Sequence, residues 1–436
     1  MRHVPDPETF ARRVRMLAAL GHRGSATAHE DRAADLLIVE LEALGIAAAK
    51  VPFPGYTSLG ARILLHVLLG ALAAGLVLLS PLLGAGLVVL APVLGAVLGA
   101  LVLTSYFLES LTLGLVLSRL LPMAPSRNVC ARIAAGAGET RRRLIVIGHL
   151  DTQRTGFMWR PGIGERFAKI AAFLPGALKS PLLLPTAALA TVPVLGLLAA
   201  LQLAPALVSW GAAATLIVAA VASVILGDWA RGPFVPGACD NATGAAAVLA
   251  LAEAWQAAPV PDVELVLLLT GCEESGLLGA TVAARALRRQ PDGVDTLFLN
   301  LDTLGYGAPR YLGKEYSCAA TPVRTPPALL ELCAEAAAEL GLEDAGPHTL
   351  PVCGDGLPFL VRGIHGVTIL TFEPGPHLPN YHQLTDTADR MDFAIGWRAV
   401  ELGEAVLRRL AGAARVDLLT GSVPDHRATA GRPAPP

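Results

Sequence analysis

Charge is scarce in this sequence. Of 436 residues, 16% are Asp, Glu, Lys or Arg, against about 25% in an average chain. From Ile63 to Thr104 there is no charged residue, and from Ser180 to Gly227 there is none again. Aromatics are also sparse at 5%, so the 53% apolar content and the mean hydropathy of +0.54 come largely from Ala, Leu and Val. An ordinary soluble enzyme does not have this composition. A net charge of −2 argues against a nucleic-acid partner. Cys130, Cys239, Cys272, Cys318, Cys333 and Cys353 include no CxxC pair. That spacing argues against a disulfide framework or a thiolate zinc knuckle and suits a reducing compartment. Asp6, Pro7 and Glu8 precede any apolar run, so Met1 to Phe10 does not read as a secretory signal.

Each uncharged region is long enough for two membrane helices, since about 20 residues span a bilayer core. Ser80-Pro81 and Pro205 supply the turns. Pro185 and Pro193 are expected to kink the third helix, which membrane helices tolerate. Gly95 and Gly99 form a small-xxx-small pair suited to close helix packing. Residues 106–121, interrupted by Glu109 and Arg119, are expected to form an interfacial helix. His66 is expected to be structural. A buried soluble hairpin is the competing account of either region, but its occurrence twice without a charge favours the membrane.

Elsewhere the pattern is that of a soluble α/β domain. Helices are expected over 8–21, 30–44, 245–255, 279–289, 327–340 and 391–412. Strands are expected over 46–51, 128–134, 143–147, 263–269, 296–301 and 367–372. The alternation implies a mostly parallel central sheet flanked by helices, a three-layer arrangement with about four inserted transmembrane helices. The expected organisation is an N-terminal part of that domain over 1–60, a hairpin plus interfacial helix over 61–121 and the domain again over 122–160. A linker and second hairpin follow over 161–231, the remaining domain over 232–420 and a disordered tail over 421–436. Both sides of each hairpin belong to one domain, so each insertion crosses an even number of times. Arg62, Arg119, Arg127, Arg160, Arg166, Lys169, Lys179 and Arg231 flank the domain side of the spans, while the far turns carry no charge. The expectation is an integral membrane protein with this domain in the cytoplasm.

Five polar clusters stand at strand ends or in loops: His149-Leu-Asp151, Asp240-Asn-Ala-Thr-Gly244, Glu273-Glu274, Asn300-Leu-Asp302 and Tyr381-His382. Singly each is weak. Adjacent glutamates are usually solvated, Asp before a helix is usually an N-cap, and a lone His is usually structural. Asp151, two residues beyond His149, shares its side of a strand and can orient the ring. Jointly the clusters lie where open α/β sheets place their sites. They supply two imidazoles and several carboxylates without thiols, a set suited to zinc in a hydrolytic centre.

In this order the motifs resemble the M28 family of zinc aminopeptidases and carboxypeptidases, over about residues 8–53 and 124–412. The resemblance implies two zinc ions per chain. His149 and Asp302 would hold one, Glu274 and His382 the other, and Asp240 would bridge them. Asp151 would orient His149, Glu273 would be the general base and Tyr381 would polarise the carbonyl. The implied reaction is exopeptidase hydrolysis of N-terminal peptide bonds, in peptides or small amides, beside membrane lipid. Many members carry Ser-Asp-His before Pro-Phe, where this chain has Gly354-Asp355-Gly356-Leu-Pro358-Phe359. A non-catalytic scaffold or receptor of the same fold, or a glutaminyl-cyclase-like acyltransferase with one zinc, is the alternative. The complete ligand set argues against both, and the sequence sets no oligomeric state.

Overall fold

A computed structural model describes residues 6–84, 86–163, 166, 169–170, 173–174, 180, 182–289, 292–373 and 378–413. The tail expected over 421–436, and His377 near the Tyr381 motif, lie outside the described residues.

The apolar runs that read as strands form the middle of one sheet. β3 (Arg142–His149) is buried along its whole length, as a chain covered on both faces must be. Its neighbours β4 (Val263–Thr270) and β5 (Asp295–Leu301) run parallel to it, and β9 (His365–Phe372) runs parallel to β5. Antiparallel strands complete both flanks. On one side β1 (Ala48–Gly55) pairs β2 (Ala124–Ile133), which pairs β4. On the other, β6 (Ala308–Tyr316) pairs β9 and β7 (Pro322–Arg324), and β8 (Gly346–Leu350) joins β6 in parallel. The parallel strands are therefore central. The β6–β8 flank was not anticipated, because β7 and β8 are short and β6 mixes charged with apolar residues, which leaves little periodic signal.

Alternation along β3 divides the core. Leu144 and Val146 face α1 (Pro7–Ala18), α2 (Ala28–Ala43), α7 (Thr243–Ala257), α9 (Pro327–Glu339) and α11 (Phe393–Gly412). Ile145 and Ile147 face α8 (Leu278–Arg289) and the short α10 (Leu357–Leu360). Asp6 caps α1 by accepting from the Glu8 and Thr9 amides at 3.0 and 2.9 Å. The result is the three-layer α/β arrangement expected.

The uncharged regions form α3 (Leu59–Leu79), α4 (Leu87–Ser110), α5 (Leu183–Ala200) and α6 (Pro205–Arg231). All four are long and apolar enough to cross a membrane. They pack as one bundle, with Ile63, Val67, Val102, Leu189 and Ala219 inside, while Val97, Ile217, Val221 and Val224 stand 57–74% exposed. A Cβ on Gly95 would lie 2.8 Å from the Ala73 carbonyl, and one on Gly99 2.7 Å from Val192. The small pair thus seats α4 against α3 and α5 at once.

The interfacial helix expected over 106–121 is not there. Residues 106–110 continue α4, and the stretch then breaks into a turn and a short 3-10 segment, Leu117–Leu120. Glu109 is the reason. Its carboxylate draws in the Val116 and Ser118 amides at 2.9 and 3.0 Å, which bends the chain back on itself. His66 is structural, bonded to the Arg62 carbonyl at 2.8 Å and to Ser105 Oγ at 2.9 Å.

α7 lies so close to β3 and β5 that Gly244 has no room for a side chain. A Cβ there would meet the Leu301 carbonyl at 2.2 Å and Asn241 Oδ1 at 2.4 Å. Gly244→Ala is expected to cost about 1–3 kcal/mol, as overpacking does. Gly412→Ala, with nothing within 4 Å, should be neutral or raise stability by up to about 1 kcal/mol. Thermal denaturation of the two variants beside the parent chain checks the contrast.

Candidate metal centre

β3, β4 and β5 end side by side, and the residues that follow them meet in one place. His149 closes β3, Glu273 and Glu274 follow β4, and Asp302 follows β5. Asp240 comes from the irregular turn before α7 and is joined to Asn241 by a cis peptide. His382 comes from the loop before α11.

Asp240 is central. Its Oδ1 lies 3.2 Å from His149 Nε2 and its Oδ2 lies 3.2 Å from His382 Nε2. His149 Nε2 also approaches Asp302 Oδ1 at 3.6 Å and Glu273 Oε2 at 4.0 Å. Glu274 Oε2 stands 3.4 Å from His382 Nε2. The five sequence-predicted ligands and Glu273 thus converge. Two overlapping triplets, His149–Glu273–Asp302 and His149–Asp240–Glu274, bring one donor atom from each residue within 4.8 Å of the others. These triplets divide the residues differently from the pairing that the M28 resemblance implies. The direct approaches of His382 to Asp240 and Glu274 agree with the latter.

Asp151 sits beneath. Its backbone oxygen is 3.2 Å and its Oδ1 3.7 Å from His149 Nδ1. Its carboxylate accepts from Ser25 Oγ at 2.6 Å and from the Glu273 and Glu274 amides at 3.1 and 3.2 Å. One buried carboxylate therefore faces the His149 ring and fixes the backbone of both glutamates. Tyr381 stacks on His382 with centroids 3.7 Å apart. Trp159 lies edge-on to both rings.

Several supporting residues escaped the sequence reading. Gln153 Nε2 donates to Glu274 Oε2 at 2.8 Å and to the Glu274 carbonyl at 2.9 Å. Asp386 accepts from the Cys239 and Asp240 amides at 2.9 and 3.1 Å. Asn241 Oδ1 binds the Gly244 and Thr303 amides. Arg23, wholly buried, donates to the carbonyls of Leu150, Pro236 and Gly237 at 2.7–2.8 Å. Asn241 stood inside a quoted motif, and Asp386 lies four residues past another. Gln153 and Arg23 had no signal beyond being polar beside a motif or a turn. Backbone strain marks the same place: Cys272, Thr303 and His382 all have φ of 52–54°.

The electrostatics are those of crowded buried acids. Burial, reinforced by Glu274, Asp355 and Asp302 against the pull of His149, pushes Glu273 well above the usual carboxylate range. Burial and Asp240 raise Glu274 to about 7. Burial opposes ionising Asp240, but His149 and His382 outweigh it and hold its pKa low. Burial likewise opposes charging His382, yet Glu274 and Asp240 raise it to about 9. Positive charge is what this centre requires. Glu274 Oε1 and both ring nitrogens of His382 are buried and make no hydrogen bond among the described residues. Unspent nitrogen and oxygen donors without thiolates fit zinc.

Residues 220–405 match the family model described as peptidase family M28. Over that span, less than half of the chain, the sequence follows the M28 pattern. The matched span contains Asp240, Glu273, Glu274, Asp302, Tyr381 and His382, with His149 and Asp151 upstream of it. Three solved structures have this fold. An aminopeptidase from Aneurinibacillus sp. strain AM-1 is 15% identical, with 93% of this chain and 94% of that one covered and a TM-score of 0.54. A zinc aminopeptidase from Bacillus subtilis is 13% identical, with 94% and 96% covered and a TM-score of 0.52. A glutaminyl cyclase from Fimbriiglobus ruber is 15% identical, with 95% and 97% covered and a TM-score of 0.51. Comparison with curated proteins gives no sequence match.

Asp386→Ala removes the acceptor of two buried amides beside Asp240. Zinc affinity is expected to fall about 10–100-fold, as when a residue that orients a ligand is lost. Competitive titration with a chromogenic chelator measures it. Unchanged affinity would show that Asp240 is positioned without Asp386.

Proposed function

We propose that this chain is a membrane-embedded aminopeptidase with a co-catalytic pair of zinc ions. The observation that carries the reading is the division of Asp240, whose two oxygens each lie 3.2 Å from a different imidazole. That is the disposition of a carboxylate placed to bridge two cations. His149 and Asp302 would hold one ion, and His382 and Glu274 the other. When bound, such a pair supplies a water of lowered pKa and positive charge for a developing oxyanion.

The remaining chemistry belongs to the side chains. Glu273 is held beside His149 without being needed in the ligand set, and burial raises its proton affinity. It accepts a proton from the attacking water and returns it to the leaving amine, so it ends as it began. Asp151 fixes the turn that aims Glu273 and Glu274, and Gln153 steadies the Glu274 carboxylate. Tyr381 lines the cavity beside Glu273 and Glu274, and its phenol would donate to the scissile carbonyl. The substrate is a peptide or a small amide with a free amino terminus.

The membrane reading rests on the four apolar helices and their exposed aliphatic faces. Lys and Arg on the domain side support a cytoplasmic catalytic centre. Two of those charges count for less than the sequence implied, since Arg62 is ion-paired with Glu109 at 3.1 Å and Arg127 with Asp31.

Detergent-purified chain is expected to contain two zinc ions by elemental analysis and to release amino-terminal residues from a peptide panel, with chelator abolishing the release. Glu273→Gln should lower kcat by about 100-fold or more while both zinc ions remain. Retained activity in that variant would sink the mechanism. One zinc per chain, with cyclisation of amino-terminal glutamine, would favour the cyclase reading, and no zinc a scaffold.

A further inference from the structure

Away from the catalytic centre, five arginines surround one recess. Arg285, Arg288 and Arg289 share a face in the last turns of α8. Arg119 comes from the short segment after α4, and Arg362 from the turn after α10. Together with Leu113, Gly114 and Leu115 they line a cavity of about 440 Å³. Among the described residues none of the five makes an ion pair.

Basic residues in the last turn of a helix normally complement its dipole, and that would account for Arg288 and Arg289 alone. It does not account for two arginines brought to them from other parts of the chain. Arg285 and Arg362 are tied down. Both donate to the Thr112 carbonyl, and Arg362 also binds Thr112 Oγ1 at 3.0 Å and the Pro358 carbonyl at 2.7 Å. Burial and the neighbouring guanidiniums of Arg289 and Arg119 lower the Arg285 pKa, and burial with Arg285 lowers Arg362 to about 10. The protein thus holds like charges together at a cost and leaves them facing an open recess.

Its position indicates what fills it. Thr112 to Leu115 are the residues by which the chain leaves α4, whose last residue is Ser110. Leu113 and Leu120 flank the arginines with 48% and 70% of their surface exposed. Guanidiniums beside exposed leucines, immediately past a membrane-spanning helix, match a ligand with an anionic head and an apolar tail. We propose that this recess binds the phosphate-bearing headgroup of an anionic membrane lipid. The inference rests on the membrane reading of α3 to α6 and is independent of the hydrolytic one.

The test uses the full chain in a neutral detergent. Its Tm is followed against dihexanoyl phosphatidylglycerol, dihexanoyl phosphatidylcholine and inorganic phosphate at equal concentrations. The anionic phosphatidylglycerol is expected to raise Tm saturably, the other two not to, and added salt to weaken the effect. Arg288→Gln with Arg289→Gln removes two exposed charges that bear no hydrogen bond among the described residues. It should weaken the apparent affinity about tenfold or more, and Arg119→Gln should weaken it further. Exposed Arg398→Gln, in an ion pair elsewhere, should leave it unchanged. Equal stabilisation by phosphatidylcholine, or a double variant that follows the parent curve, overturns the proposal. An equal response to inorganic phosphate assigns the recess to a soluble anion and overturns the lipid. Extraction of membranes with alkaline carbonate separates the two failures. Release of the chain refutes the membrane reading, whereas retention without any headgroup effect refutes only this inference.

Discussion

Buried negative charge is the constraint on which the rest of this structure depends. Asp240, Glu273, Glu274 and Asp302 converge on two imidazoles in a place with little water. Carboxylates in such a place carry a heavy desolvation cost unless they are met by positive charge or by donors. The surroundings supply donors first to the backbone that carries them. Asp151 takes the Glu273 and Glu274 amides, Asp386 takes those of Cys239 and Asp240, and Asn241 takes that of Thr303. These inner carboxyls are spent on amides, so the outer ones stay free to face one another. The parallel order of β3, β4 and β5 provides the common edge from which three of the clusters project. The left-handed backbone at Cys272, Thr303 and His382 is the local strain of turning so many side chains inward.

The inserted helices are part of this arrangement. Arg62, in the first turn of α3, donates to the Ser275 carbonyl at 2.6 Å, one residue beyond Glu274. Its guanidinium fills the space where a side chain on Gly276 would stand, and Gly276 adopts a φ of +116° that other residues rarely reach. The same guanidinium pairs with Glu109 of α4, and Glu109 gathers the chain at Val116 and Ser118. A buried ion pair contributes little net stability. Here its geometry links the start of one helix, the end of the next and the catalytic turn. That explains why a span ends in a glutamate and why no amphipathic helix follows it.

How much of this was legible follows from which signals are local. Strands buried on both faces write themselves as apolar runs, so β3, β4, β5 and β9 were readable to within a few residues, and the uncharged spans more plainly still. The site residues were readable because several weak clusters stood in a recognisable order, although none was persuasive alone. What could not be read depends on contacts between distant segments. Gln153 reaches Glu274 across 121 positions, and Arg23 reaches Gly237 across 214. Glu109 looked like an interruption of an interfacial helix because its partner, Arg62, lies 47 positions away. The β6–β8 flank was missed for another reason: β7 and β8 are short and partly exposed, and β6 mixes charged with apolar residues without a clean alternation.

The segment where the chain departs from the usual family pattern bears on the substrate. At position 356 a Cβ would lie 3.0 Å from Thr368 Oγ1 and 3.1 Å from the Phe298 ring. Glycine there lets Phe298 and Phe359 pack with centroids 5.4 Å apart, and no side chain from that position reaches the centre. Asp355 is buried and hydrogen-bonded to Thr270, so it turns toward the strand end. The wall is made from other material. A cavity of about 120 Å³ beside Glu273, Glu274 and Tyr381 is lined by Leu59, Ile63 and Tyr106 of the first hairpin and by Leu182 and Trp229 of the second. The mouth of the catalytic centre is therefore built from the ends of the apolar helices. Lengthening or replacing those helices would alter the surface that a substrate first meets. Under the membrane reading, that surface lies at the bilayer boundary, where a peptide with an apolar terminal residue is already concentrated.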